Sequence, residues 1–341
     1  MHYGHGDDSY RYAKKIVANH STNIWPKGPS NSLITHLQYK LAGIGSYPEC
    51  YSESLMDKLA VQQGVDVSSV GVFNGIAEAI YLIAQTYRSR KSLIVCPTFS
   101  EYEEATLKFD HHISYVHEHE GVEEAIEDNE LVWLCNPNNP TGKIYAKEIL
   151  IDWIQRFPNV LFVIDEAYME LIKNSESLVS EVSNYNNLIV MQSLTKNFAI
   201  PGLRLGVVYA SPQKLASLHD FRPPWSVNSL AIEAGKYLID YPPYNHETLK
   251  EYLRLSLELQ NDLSKLNGVR VYNTHTGFFL LETPIRSGEL KDILVEKYGI
   301  LVRDASNFRG LGEYHIRVAS IGFEQNKKLT VALKEIIDYY E

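Results

Sequence analysis

No apolar run in this 341-residue sequence approaches the roughly 18 to 20 residues that a membrane-spanning helix needs, which excludes that class of membrane protein. Its start, Met1-His2-Tyr3-Gly4-His5-Gly6-Asp7-Asp8, has neither the basic opening nor the apolar core of a secretion signal, so a cytoplasmic protein is expected. Cysteine is scarce. Cys50, Cys96 and Cys135 are an odd set without metal-ligand spacing, and two of them end apolar runs, which reads as reduced core residues rather than a disulfide framework. Positive charge is in deficit as well: 32 Lys and Arg against 42 Asp and Glu leave a formal charge of -10, which argues against general affinity for nucleic acid or anionic lipid. Repeats, low-complexity tracts and long linkers are missing, so the chain is compact throughout. His111, His112, His117 and His119 crowd a short strand without a ligand pattern, and no metal is expected.

A hydrophobic content of 45% and a charged content of 22% suit a globular enzyme, and the length exceeds what one core holds, which predicts a large and a smaller domain. Residues 1–29, rich in Pro, Gly, Asn and His, read as an irregular N-terminal arm. Helical spacing follows at Leu33, Ile34, Leu37 and Leu41, then from a Ser52 cap through Leu55, Met56, Leu59 and Ala60 to Gly64. From Val70 onward short apolar runs alternate with helices. Strands are predicted at Val70–Phe73, Leu93–Cys96, Ile113–Val116, Leu131–Cys135, Val160–Ile164, Leu188–Met191 and Val207–Tyr209. Between them lie helices such as 76–87, 100–108 with a Ser100/Glu103 capping box, and 147–157. Near-continuous apolar strands separated by helices mean a mostly parallel sheet covered on both faces, with ligands bound beyond the carboxyl ends of the strands. Tyr241-Pro242-Pro243-Tyr244 breaks the pattern. A large domain over 30–241 and a small α+β domain over 242–341 are therefore expected, the latter opening with a long helix from about Glu247 to Leu266.

The candidates for chemistry fall at strand ends. Lys196 follows the run Leu188–Met191, with Ser193 three residues before it and Arg204 eight after it. Burial disfavours an ammonium, and a lysine held neutral is a nucleophile toward carbonyls, typically as a Schiff base with an aldehyde cofactor. A hydroxyl and a guanidinium fork beside it suit a phosphate, and pyridoxal phosphate carries both groups. Taken alone, S-x-x-K is also met by a surface lysine with a structural arginine nearby. Asp165 ends another apolar run, in D-E-A-Y. It is either a helix cap or the carboxylate that keeps a pyridine nitrogen protonated, and Tyr168, just beyond, is a buried tyrosine or a donor to the ring oxygen. Asn136-Pro137-Asn138-Asn139-Pro140-Thr141-Gly142 demands a rigid turn, which can aim Asn139 at that same oxygen. Gly75, between a strand and a helix, lets the N–H groups of Ile76 and Ala77 point at an anion. Tyr102 is placed either flat on the cofactor ring or in the core. Arg303 and Arg317 sit in the small domain, and Arg317, within an apolar strand, must be paired or bind an anion.

Together, N-P-N-N-P-T-G, D-E-A-Y, S-L-T-K and P-G-L-R-L-G occur in the order and spacing of the fold-type I pyridoxal-phosphate enzymes, and the chain resembles the class I/II aminotransferases over nearly its whole length. It is most similar to the branch of histidinol-phosphate aminotransferases and L-threonine-O-3-phosphate decarboxylases of cobalamin synthesis. The resemblance implies the aspartate aminotransferase-like α/β fold, with Lys196 as the Schiff-base lysine, Asp165 at the ring nitrogen, Asn139 and Tyr168 at the ring oxygen and Tyr102 on the ring. It puts Gly75, Ile76, Ala77, Ser193 and Arg204 around the phosphate, with Tyr47 reaching in from the second subunit of a homodimer. Arg317 would hold a substrate carboxylate and Arg303 a substrate anion. Asn23, His5 and Lys27 of the arm are further candidates for a distal phosphate. S-L-T-K with A-I-P-G-L-R-L-G, and H-G-D-D with S-T-N-I-W-P-K-G-P, resemble the decarboxylases. Tyr168 is what the aminotransferases usually show, and Ile76 stands where a small residue is common. Decarboxylation is the first expectation, with transamination to 2-oxoglutarate as the alternative. A non-catalytic cofactor-binding regulatory domain is a third reading, opposed by intact Lys196, Asp165 and Arg204.

Overall fold

The computed structural model describes residues 6–174 and 176–340. Its first strand, β1 (Ala18–Asn19), leaves the arm to pair far along the chain. The next seven build the main sheet: β2 (Val70–Phe73), β3 (Lys91–Cys96), β4 (His112–His117), β5 (Leu131–Cys135), β6 (Leu161–Asp165), β7 (Leu188–Gln192) and β8 (Gly206–Ala210). They lie in the order β2-β8-β7-β6-β5-β3-β4. Five neighbouring strands run parallel, while β8 is antiparallel to both β2 and β7.

The continuous apolar runs have a direct cause. Successive side chains of a strand point to opposite faces, and here both faces are covered. Val132, Leu134, Phe162, Ile164, Leu188 and Val190 pack into one hydrophobic cluster. Leu131, Trp133, Leu161, Val163, Ile189 and Met191, their immediate neighbours in sequence, pack into the other.

Register then decides what meets at the carboxyl edge. Cys135 pairs with Asp165 and Asp165 with Met191, so the Asn136–Gly142 turn, the D-E-A-Y segment and Ser193 all leave the sheet at one level. Being antiparallel, β8 brings its beginning to that same edge: Gly206 pairs with Phe73, and Val207 with Gln192. Arg204 and Gly75 are thereby brought to the lysine from opposite directions along the chain.

A second sheet is antiparallel throughout. It consists of β9 (Arg270–Val271), β10 (Phe278–Glu282), β12 (Arg303–Asp304) and β13 (His315–Ala319), in the order β12-β13-β10-β9. Phe279, Leu281, Ile316 and Val318 bury one face of it against Leu259, Leu263, Leu329, Leu333 and Ile337 of helices His246–Leu263 and Phe323–Tyr340. The short β11 (Ile300–Leu301) pairs in parallel with β1, so the arm is tied to the second sheet's unit.

Two expected helix starts are corrected. Ser52 precedes helix Glu53–Gln63 with a φ of 67°, and its hydroxyl makes no capping bond. The Glu49 carboxylate instead accepts from the Ser54 N–H at 2.7 Å. The Ser100/Glu103 capping box is absent too, because Ser100 already has helical backbone, which points its hydroxyl away from the first-turn amides. Glu103 turns outward to other partners. In the second sheet's unit, helix Ser287–Ile293 widens after Ile293 into a π turn, Leu294–Tyr298. Of the cysteines, Cys96 and Cys135 are buried and Cys50 is half-buried, all three as free thiols.

Candidate active site

A cleft of about 400 Å³ opens where the carboxyl edge of the main sheet faces the second sheet and the arm. Ile76, Ala77, Tyr102, Asn139, Asp165, Tyr168, Ser193, Lys196, Arg204, Arg303, Arg317 and Asn23 all line it. Gly75, Tyr47 and Lys27 are not among the residues that line it. Tyr47 is 84% exposed and packs beside Trp225, outside the cleft of its own chain. Lys27 is exposed and absent from the lining because the chain turns away after the buried Trp25. His5 lies outside the described residues.

Lys196 sits in a single helical turn, Leu194–Asn197, entered from extended backbone at Ser193. Two bonds pin this turn: the Trp25 N–H donates to the Lys196 carbonyl at 2.9 Å, and the Thr195 N–H to the Leu205 carbonyl at 3.3 Å. The second ties the lysine to the P-G-L-R-L-G segment. Burial lowers the Lys196 pKa to about 8, the cations of Arg317 and Arg204 assist, and Asp165 opposes. Burial likewise raises Asp165 to about 6, against the hydrogen bonds it accepts and the Lys196 charge. Those bonds come from the Tyr102 hydroxyl at 2.6 Å and the Ala167 N–H at 2.9 Å. The next helical turn, Met169–Leu171, is entered from Tyr168, so Asp165 is not its cap. Tyr102 is fully buried and stacks on Trp133 with 5.5 Å between ring centroids, so it belongs at once to the core and to the cleft wall.

The corner around Gly75 and Arg204 is shaped by close backbone approach. Gly75 has a φ of 76°, and a Cβ there would stand 2.6 Å from Arg204 Nη2; at Gly206 a Cβ would stand 2.5 Å from the Ile76 nitrogen. Asn74 supplies no side-chain cap to helix Gly75–Thr86, and Ile76 and Ala77 of its first turn line the cleft. Open amides at a helix N-terminus beside a guanidinium and a serine hydroxyl make an anion cradle. A cradle, a lysine of lowered pKa and a buried carboxylate are the donor set that pyridoxal phosphate requires, and the residues fit that cofactor.

Across the cleft, Arg303 and Arg317 are direct register partners on β12 and β13, so their side chains share a face. Arg317 donates to Asn139 Oδ1 and to the Ser21 carbonyl, while its buried Nε has no hydrogen-bond partner among the described residues. Arg303 donates to the Asp304 carbonyl and, at 2.8 Å, to Asn307 Oδ1. Burial and the neighbouring Arg317 charge bring Arg303 down to about 10. Asn23 Nδ2 donates to the Tyr168 hydroxyl at 2.7 Å, so the arm reaches the carboxyl edge of the main sheet.

Sequence reasoning missed Asp7, Ser21, Phe308 and Glu118. The first three reach the site only through tertiary contact. Glu118, buried, accepts from Asn138 at 2.9 Å and Thr141 at 2.8 Å and so braces the Asn-Pro turn; its signal was a lone acid just past a strand end. Among the described residues no group of His, Cys, Asp and Glu is arranged to hold a metal ion, and no helix is long and apolar enough to cross a membrane.

A mostly parallel sheet covered by helices, with a lysine, a carboxylate and an anion cradle at its carboxyl edge, defines a cofactor-dependent enzyme of the aminotransferase type. The chain belongs to the aminotransferase class I and II family, whose model matches residues 26–333, and it is a pyridoxal-phosphate-dependent enzyme. It is 32% identical to a histidinol-phosphate aminotransferase of Thermoanaerobacter sp., covering 96% of this chain and 93% of that protein. It is 29% identical to the threonine-phosphate decarboxylase of Salmonella typhimurium, over 93% and 90% of the two chains. Among solved structures, L-threonine-O-3-phosphate decarboxylase from Porphyromonas gingivalis superposes with a TM-score of 0.91 at 34% identity, covering 94% of this chain and all of that one.

Proposed function

We propose that this enzyme decarboxylates a small phosphorylated amino acid of the threonine-phosphate type. The observation that carries the reading is the Arg303/Arg317 register pair: two buried cations side by side facing one cleft call for a substrate with two anionic groups, a carboxylate and a phosphate. The relatives named for threonine-phosphate decarboxylation act on a compound of that kind.

When bound, pyridoxal phosphate supplies an aldehyde that condenses with amines and a protonated pyridine ring that draws electrons from the substrate's α-carbon. Asp165 would hold the pyridine proton, and Asn139 and Tyr168 would orient the ring oxygen. Ser193, Arg204 and the amides of Gly75, Ile76 and Ala77 would hold the phosphate. Where the grip of Arg303 and Asn23 on the substrate phosphate sets the substrate's orientation, the carboxylate would be the group lost as CO2, and Lys196 Nζ would deliver a proton to Cα. Where Arg317 fixes the carboxylate instead, Lys196 Nζ would remove the Cα proton, which is the transamination course. Tyr168, bonded to Asn23, favours this second reading. We further propose a homodimer in which Tyr47 serves the partner's site, since Tyr47, Trp225 and Phe221 are large exposed apolar side chains of one region.

The test supplies the purified holoenzyme with O-phospho-L-threonine alone, then with histidinol phosphate and 2-oxoglutarate. Release of CO2 with aminopropanol phosphate is the expected result. Glutamate formation in the second assay, with none of that CO2 in the first, overturns decarboxylation in favour of transamination.

A further inference from the structure

We propose that Arg309, Glu103 and Tyr115 form a clamp that sets the position of Arg303 against the cofactor wall of the cleft. The inference rests on the reading of Arg303 as a ligand of the substrate anion.

Arg303 begins a short segment that folds back on it. Its guanidinium donates to Asn307 Oδ1 and lies 5.0 Å from the centroid of the Phe308 ring, and Phe308 itself lines the cleft. The next residue, Arg309, crosses to the main-sheet unit. Its Nε donates to Glu103 Oε2 at 3.0 Å and its Nη2 to Glu103 Oε1, a two-pronged engagement of the carboxylate. The guanidinium also lies 4.0 Å over the Tyr115 ring, and the Tyr115 hydroxyl donates to Glu103 Oε1 at 2.9 Å. Tyr115 is on β4, and Glu103 adjoins Tyr102, the tyrosine that closes over Asp165.

The arrangement is more than an exposed ion pair. With Arg309 half-exposed, a single-point contact would be screened and worth little. A forked pair over an aromatic face, with a third donor on the same carboxylate, holds one geometry. It also accounts for Glu103 facing away from the start of its own helix. The surface pairs of Arg254, by contrast, join residues of one helix and position nothing beyond it. Through Phe308 and Asn307 the clamp fixes the distance between the anion-binding arginine and the wall that holds the ring. Arg309, Glu103 and Tyr115 are positioning residues, since none bears a reacting atom.

The test compares holoenzyme variants Arg309→Met, Glu103→Gln, Tyr115→Phe and the charge-swapped Arg309→Glu/Glu103→Arg, with Arg303→Gln as reference. Binding of O-phospho-L-threonine is followed by the cofactor's absorbance, alongside KM and kcat. Each of the first two variants is expected to weaken binding and raise KM roughly tenfold, as loss of a forked charge-assisted pair implies, with kcat and cofactor affinity within about twofold. Tyr115→Phe gives a smaller loss in the same direction, and the swap recovers part of it. If Arg303→Gln weakens binding while Arg309→Met and Glu103→Gln leave it unchanged, the clamp alone is overturned. It is overturned equally if those variants lose kcat and cofactor affinity together and the swap recovers nothing, which marks a general loss of structure. If Arg303→Gln itself changes nothing, the functional reading fails and the clamp fails with it.

Discussion

Lys196 and Asp165 are the residues whose ionisation the fold disturbs toward use: the lysine comes down to about 8 and the carboxyl up to about 6, both chiefly by burial. For Asp165 the sign of the effect on stability is definite. A carboxyl whose folded pKa lies above its unfolded value of 3.8 binds more protons in the native state between 3.8 and about 6, so the cofactor-free protein loses stability as pH rises through that window. Above it the whole cost is expressed, roughly 3 kcal/mol from the size of the shift. Asp165→Asn removes the ionisation and keeps an acceptor for the Tyr102 hydroxyl. We expect the variant, free of cofactor, to resist urea better than the parent at pH 7, by an amount up to that figure which shrinks toward pH 4, while activity falls at least about 100-fold. Equal or lower stability of the variant at pH 7 would contradict the assigned burial cost. A site residue that destabilises its own fold until the cofactor arrives is one retained for chemistry.

At the scale of the element, the turn between β2 and helix Gly75–Thr86 was legible as a glycine at a strand-to-helix junction. That Arg204 packs against this glycine was not. Its positive φ and the 2.6 Å approach of Arg204 to the missing Cβ arise because β8, antiparallel to β2, delivers Arg204 and Gly206 onto the same turn. Gly75→Ala must strain its backbone and displace the guanidinium, so we expect pyridoxal-phosphate affinity to fall by roughly tenfold or more with the far-ultraviolet circular dichroism unchanged. Undiminished affinity would show that Arg204 has room to retreat. The capping residues tell the opposite story. Ser100 and Glu103 fit a capping box in sequence, but Ser100's helical backbone rules out the cap and Arg309 claims the Glu103 carboxylate. Both facts depend on parts of the chain far away.

At the scale of the whole molecule, Tyr47 lies outside the cleft of its own chain. If it serves the partner, inactive Lys196→Ala and impaired Tyr47→Phe homodimers should complement. In a mixed dimer one site has lost both residues and the other has both intact, so unfolding and refolding an equal mixture should restore about one quarter of the parent's activity. No recovery would mean that Tyr47 acts within its own subunit or not at all. The arm is a second feature of this scale. β1 pairs with β11 while Asn23 donates to Tyr168 and the Trp25 N–H to the Lys196 carbonyl, so one irregular segment connects the second sheet to the lysine turn.

By itself the sequence determined the seven strands of the main sheet and the order in which chemistry-bearing residues leave it, and through its resemblance to the fold-type I enzymes the cofactor, because apolar runs, rigid Asn-Pro turns and a lysine at a strand end are local patterns with local causes. Only the tertiary structure decided that Arg303 and Arg317 stand side by side, that Asn139 is held by Arg317, and that Glu118 braces the turn beneath it. Each of those depends on register between strands or on contact between segments more than 10 residues apart. Such pairings follow from how whole sheets pack, and no spacing along the chain encodes them.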